Sequence, residues 1–164
     1  MQREARGERH SGEHPTGGRP EGSAQHLLIV EARFYREISD LLLEGARSAL
    51  QRAGATFDRI EVPGALEVPA AIRMALEAGV YDAYVALGCV IRGETSHYDI
   101  VAGESARGLM DLAVHRGALI GDGILTVENG EQARARADPD GKDKGGDAAR
   151  AVLALLQIKS CFGP

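Results

Sequence analysis

Apolar positions along this chain follow two alternating periods. Four short runs have strand length and are either continuous or alternating: residues 26–30 (HLLIV), Thr56–Val62 (TFDRIEV), residues 81–91 (YDAYVALGCVI) and residues 117–127 (GALIGDGILTV). Between them the apolar residues fall three or four apart, the period of a helix with one buried face. Ile38, Leu42, Ala46, Ala49 and Ala53 form the first such stripe, with Gly54 as its stop. Val68, Ala71, Ile72 and Ala75 form the second, in a helix over 65–78 whose first turn tolerates Pro69. Ala102, Ala106, Leu109 and Ala113 form the third. A short helix over 131–137 and a final helix with Ala148, Val152, Leu155 and Leu156 inward close the chain. The Gly121-Asp122-Gly123 triplet is expected to interrupt the fourth strand. Strands separated by amphipathic helices predict α/β architecture: a flavodoxin-like three-layer α/β/α sandwich with a four-stranded parallel sheet. A receiver domain is disfavoured because the first strand ends in a single acid, Glu31. A flavodoxin is disfavoured because no Ser/Thr/Gly-rich loop follows that strand.

Residues 1–23 break the pattern. They are charged, contain Gly and Pro and hold almost no large apolar side chain, so they are expected to form a disordered extension. That leaves one domain over 24–160 and a short tail over 161–164. With 44% apolar residues among 164 the chain can build a core, and with 3 Phe, 4 Tyr and no Trp that core is aliphatic. A formal charge of −5 argues against nucleic acid as a partner. Cys89 and Cys161 form neither a disulfide framework nor a metal spacing, and His10 and His14 have no accompanying ligands, so no metal is expected. Free thiols, the lack of an apolar run of membrane length and the lack of a signal-peptide core together predict a cytoplasmic protein with no membrane association.

Candidate chemistry concentrates in residues 87–104, LGCVIRGETSHYDIVAGE. A buried strand breaks at Arg92-Gly93, and Ser96 with Asp99 has the Ser-x-x-Asp form that opens a helix. His97 then falls in the first helical turn, among unpaired N–H groups suited to an anion, where an imidazole can exchange protons near neutral pH. Phe34 falls at the carboxyl end of the first strand, and its spacing alone favours a core aromatic. Glu67 needs no role beyond that of a first-turn carboxylate. Arg134, Arg136, Lys142 and Lys144 alternate with Asp138, Asp140 and Asp143, which by itself describes a solvated loop.

The wording of the central stretch says more than its spacing. IRGETSHYDIV resembles the central motif of the 6,7-dimethyl-8-ribityllumazine synthase family. ARF (32–34), VPGALEVP (62–69) and GILTVENGEQA (123–133) resemble three further elements of that family, in order. The resemblance implies a transferase of riboflavin biosynthesis. It would condense 5-amino-6-(D-ribitylamino)uracil with 3,4-dihydroxy-2-butanone 4-phosphate without metal or cofactor. It implies that His97 transfers protons and that Phe34, Ala65, Leu66, Glu67, Cys89, Val90 and Ile91 surround the pyrimidine and ribityl chain. Glu94, Thr95 and Arg136 would hold the phosphate. Four positions depart from the family pattern. Leu66 stands where Phe is usual, and Asp122 stands where several members place an aromatic, so that it either meets the substrate or fills a turn. Asp140 replaces a frequent lysine, which leaves Lys144 as a substitute cation and Asp147 as a partner for Arg136. Tyr35, at a position often Asn, inherits no role. The resemblance also implies a homopentamer or a multiple of one, with each site between adjacent subunits, and riboflavin synthase as a candidate partner. The charged N-terminal stretch and the acidic loop after Arg136 favour free pentamers over shells. The alternative is a catalytically weak relative that binds flavin or builds a shell; it predicts loss of His97 or Arg136, and both are present. A generic phosphosugar-binding module would show no pyrimidine specificity.

Overall fold

The sheet grows outward from β1 (His26–Ala32), whose seven residues are all buried. This is a computed structural model, and it describes residues 25–163; the expected disordered extension lies outside the described residues. After β1 come α1 (Arg36–Arg52), β2 (Thr56–Val62), a single 3-10 turn (Ala65–Glu67), α2 (Val68–Ala78) and β3 (Ala83–Ile91). Then follow α3 (His97–Arg116), β4 (Ile120–Val127), α4 (Gly130–Ala137) and α5 (Lys144–Cys161). All three strand pairs are parallel, in the order β2-β1-β3-β4. The fold is the expected three-layer α/β/α sandwich. Leu27, Ile29, Val85, Leu87 and Leu125 point to the face covered by α1, α4 and α5, while Leu28, Val30, Tyr84 and Ala86 point to the face covered by α2 and α3. Because β1 and β3 are covered on both faces, their sequences are continuously apolar rather than alternating.

Several expectations change at this stage. β4 runs unbroken through Gly121-Asp122-Gly123. Those glycines do not interrupt the strand; they let α5 approach it. A Cβ on Gly121 would lie 2.0 Å from the Ala148 carbonyl oxygen, and one on Gly123 would meet Leu87 and Ala148. The inward face of α3 is Ser105, Leu109 and Leu112, with Ala106 exposed, because the helix is rotated so that Ile100, Met110 and Val114 face outward. In α5, Ala148, Val152 and Leu156 are buried as expected, whereas Leu155 is exposed. β1 extends two residues past Val30, through Glu31, a carboxylate with no solvent exposure. It accepts hydrogen bonds from Arg33 Nη1 (3.1 Å) and from Arg59 Nε on neighbouring β2. A buried carboxylate is tolerated only with such partners, and this one fixes the strand three residues before Phe34.

Candidate active site

The strand order reverses between β1 and β3, since one connection leads from β1 outward to β2 and the other from β3 outward to β4. At such a reversal the loops beyond the carboxyl ends part and leave a crevice. A cavity of about 400 Å3 lies there, within the size range of small-molecule sites. Phe34 and Tyr35 come to it from the end of β1, and Pro63 to Glu67 from the turn after β2. Cys89, Val90 and Ile91 come from the end of β3, and Gly93, Thr95, His97, Tyr98 and Val101 from the loop and first turns of α3. A hollow of about 450 Å3 between α2 and α3, lined by Pro69, Arg73, His115 and Arg116 among others, is more open and reaches none of the residues singled out from the sequence.

Phe34 is 72% exposed and meets Tyr35 edge-on at 5.0 Å. Spacing favoured a core aromatic, and the structure overturns that: a large apolar ring at a cavity mouth is available for stacking. Leu66 is also exposed, and Ala65 is buried beneath it. Cys89 is almost wholly buried, and burial pushes its thiol up to about 11, so it stays protonated at neutral pH.

The turn that carries His97 differs from the expected capping box. Ser96 occupies the N-cap position of α3 without a side-chain hydrogen bond. The His97 N–H donates instead to Thr95 Oγ1 at 3.3 Å, and Asp99 faces Arg92 Nη1 at 3.5 Å. His97 itself is exposed at the cavity.

Three candidates stand apart. Glu94 is exposed and is not part of the cavity wall, although both its neighbours are. Asp122 lies opposite Ala86 in β4, five residues before the strand's carboxyl end, and its Oδ1 accepts the Ile124 N–H at 2.9 Å. It therefore neither fills a turn nor lines the cavity. Desolvation by the surrounding protein raises its carboxyl, partly opposed by that hydrogen bond. Arg136, half-buried in α4, donates from Nη1 to the Gln132 carbonyl oxygen at 3.2 Å. Its helix belongs to the α1/α5 layer, opposite α2 and α3. The expected Arg136–Asp147 pair is absent from the described contacts: Asp147 is held by Arg150 (2.8 Å) and Lys144 (2.9 Å), which lower its carboxyl below the usual range. Lys144 is thereby engaged, and Asp140 is exposed.

Thus one chain brings together Phe34, residues 65–67, residues 89–91 and His97, and leaves Arg136 outside. Among the described residues no group of three or more His, Cys, Asp or Glu could hold a metal ion. No described helix is long and apolar enough to cross a membrane.

A family described as 6,7-dimethyl-8-ribityllumazine synthase matches residues 24–160. The chain belongs to the lumazine synthase family. Its relatives in that family include the 6,7-dimethyl-8-ribityllumazine synthase of Bartonella tribocorum, 63% identical over 84% of this chain and 92% of that protein. The synthase of the same name from Agrobacterium fabrum is 61% identical over 86% of this chain and 99% of that protein. In Rhizobium meliloti a protein named 6,7-dimethyl-8-ribityllumazine synthase 1 is 61% identical over 84% and 94%. The lumazine synthase motifs thus sit on the loops that wall the cavity and on β4 and α4 beside it. Sequence reasoning passed over Tyr35, Pro63, Gly64, Tyr98 and Val101 as cavity-wall residues, and Glu31, Arg59 and Arg92 as supports of the loops. Tyr98 was signalled by its place next to His97; Arg59 could be found only from the strand pairing.

Proposed function

We propose that this chain is a 6,7-dimethyl-8-ribityllumazine synthase. It condenses 5-amino-6-(D-ribitylamino)uracil with 3,4-dihydroxy-2-butanone 4-phosphate in the penultimate step of riboflavin biosynthesis. The observation that carries this reading is the convergence of Phe34, residues 65–67, residues 89–91 and His97 on one cavity at the sheet's reversal point. Phe34 stacks on the pyrimidine, and the backbone and side chains of Ala65, Leu66, Glu67, Cys89, Val90 and Ile91 hold the ring and ribityl chain. Glu94, Thr95 and Arg136 take the phosphate, for which a guanidinium fork and a helix N-terminus are suited.

The ring amine attacks the ketone carbon, and the carbinolamine loses water to give an imine. A proton then leaves the carbon next to it and phosphate departs. The resulting enol takes up a proton at its terminal carbon to become a methyl ketone, and the ribitylamino nitrogen closes the second ring on that new carbonyl, with loss of a second water. His97 supplies and removes protons at the carbinolamine oxygen and during phosphate loss. Holding two substrates in register contributes much of the rate.

The cavity wall has no Lys or Arg among its described residues, so within one chain a phosphate meets the N-terminus of α3 but no fixed cation. The outlying Arg136, and the outward-facing Ile100, Met110 and Val114 of α3, support a homopentamer in which a neighbour's α4 completes each site. Asp122, exposed on edge strand β4, would face the same junction. Riboflavin synthase, which consumes the product, is the candidate protein partner, and the free thiols Cys89 and Cys161 fit a cytoplasmic enzyme.

The test is a steady-state assay with both substrates, following lumazine absorbance and subtracting the uncatalysed condensation. Turnover should fall roughly 10-fold to 100-fold in His97→Ala and about 100-fold or more in Arg136→Ala. No turnover above background, with riboflavin still bound, would refute the synthase and leave a flavin-binding protein.

A further inference from the structure

We propose that Arg92 is a positioning residue that fixes His97, with Glu128 at the head of α4 as its anchor; this rests on the reading of His97 given above. Arg92 is the first residue beyond β3, and its N–H donates to the Val127 carbonyl oxygen at 2.9 Å, carrying the β3–β4 pairing one step past the strand. Its side chain then touches three residues on two separate segments, the loop before α4 and the first turn of α3. Nε donates to both carboxylate oxygens of Glu128, at 3.2 and 3.0 Å. Nη1 faces Asp99 Oδ1 at 3.5 Å. The guanidinium carbon sits 4.1 Å from the centroid of the Tyr98 ring. Tyr98 and Asp99 are the two residues directly after His97, so one planar cation grips the turn that carries the imidazole.

That grip replaces the missing cap. Ser96 makes no side-chain hydrogen bond to the start of α3, and Asp99, which would close a capping box, turns to Arg92 instead. The anchor is firm in its own right. The Glu128 N–H donates to Gln132 Oε1 at 2.9 Å, and the Gln132 N–H donates to Asn129 Oδ1 at 2.9 Å, which ties Glu128 into the capped first turn of α4. Stability does not explain the arrangement. Arg92, Glu128 and Asp99 are 41%, 57% and 65% exposed, and such pairs add little to folding. What they supply is orientation, because stacking on a ring while engaging a carboxylate through Nε requires a plane. A lysine has the charge but no plane.

The experiment is steady-state kinetics on the assembled protein for Arg92→Ala, Arg92→Lys, His97→Ala and the Arg92→Ala/His97→Ala double variant. In Arg92→Ala kcat should fall about 10-fold, the effect of a misaligned reacting group, while KM for the pyrimidine substrate stays within about 2-fold. Arg92→Lys should not restore kcat. In the His97→Ala background, removing Arg92 should cost nothing further, because its effect passes through the imidazole. Equal losses in both backgrounds would overturn the proposal. So would a raised KM for the phosphate substrate at unchanged kcat, which would make Arg92 a ligand. Should Arg92→Ala not fold, Glu128→Gln is expected to lower kcat in the same non-additive way, and unchanged kcat there would also overturn it. If His97→Ala alone loses nothing, the assignment of His97 fails and this inference with it; if His97→Ala is impaired and Arg92→Ala is not, only this inference fails.

Discussion

At the scale of single residues, the same side chain carries different weight for folding and for binding. Phe34 is 72% exposed, so it contributes little to the core and much to the cavity mouth. Phe34→Ala should change unfolding free energy by less than about 0.5 kcal/mol, as an exposed position does. Loss of an aromatic stacking partner should raise KM for the pyrimidine substrate roughly 10-fold. Chemical denaturation beside kinetics on one preparation would separate the two. Cys89 shows the reverse. Its thiol has an ordinary value of 9.0 and is pushed up to about 11 by burial. Between those values the folded chain holds more protons than the unfolded one, so this thiol's contribution to stability is present below pH 9 and is lost as pH rises through about 11. Peptide mapping after iodoacetamide treatment at pH 8 should find exposed Cys161 alkylated well before Cys89. Equal labelling would mean that the wall of the cavity is open.

Elements bring these residues to their places, and close approach between β4 and α5 sets one of them. With no Cβ on Gly121, the α5 backbone at Ala148 lies directly on the strand. Gly121→Ala puts a methyl 2.0 Å from a carbonyl oxygen, a clash with backbone rather than with a flexible side chain. It should destabilise by about 3 kcal/mol or more, as overpacking does, measured by urea unfolding. A variant as stable as the parent would show that α5 can lift away. β1 and β2 hold the other side of the crevice through Glu31, which is buried between Arg33 and Arg59. Periodicity found both elements, yet it had no means of placing a charge inside: the partner of Glu31 is 28 residues away and meets it only once the strands pair.

For the whole molecule, the decisive feature is that His97 and Arg136 lie in different layers of one chain. If neighbours complete each other's sites, co-expressed His97→Ala and Arg136→Ala chains should regain activity that neither homo-oligomer has. Random assembly makes about a quarter of the sites fully wild type. Activity no higher than the mean of the two parents would place both residues in one protomer's site. On the proposed assembly, heating or dilution that separates subunits should abolish turnover along with it, as sedimentation and assay in parallel can check.

Strand and helix periods and the parallel sheet were written into the chain locally, whereas Phe34, residues 65–67 and residues 89–91 were legible as cavity wall only through the family resemblance. Burial on both faces makes β1 and β3 continuously apolar, and the motifs that resemble lumazine synthases lie at the loops those strands lead into. Local pattern did not fix the rotation of α3, the unbroken course of β4 or the replacement of the Ser96 cap by Arg92. Each of these involves a partner distant in sequence: Pro69 against Gly108 of α3, Ala148 against Gly121 of β4, Glu128 against Arg92. The family resemblance names His97 and Arg136 together. The tertiary structure puts them on opposite faces of the sheet, because the β3–β4 crossover carries α3 over one face and the chain leaving β4 returns across the other.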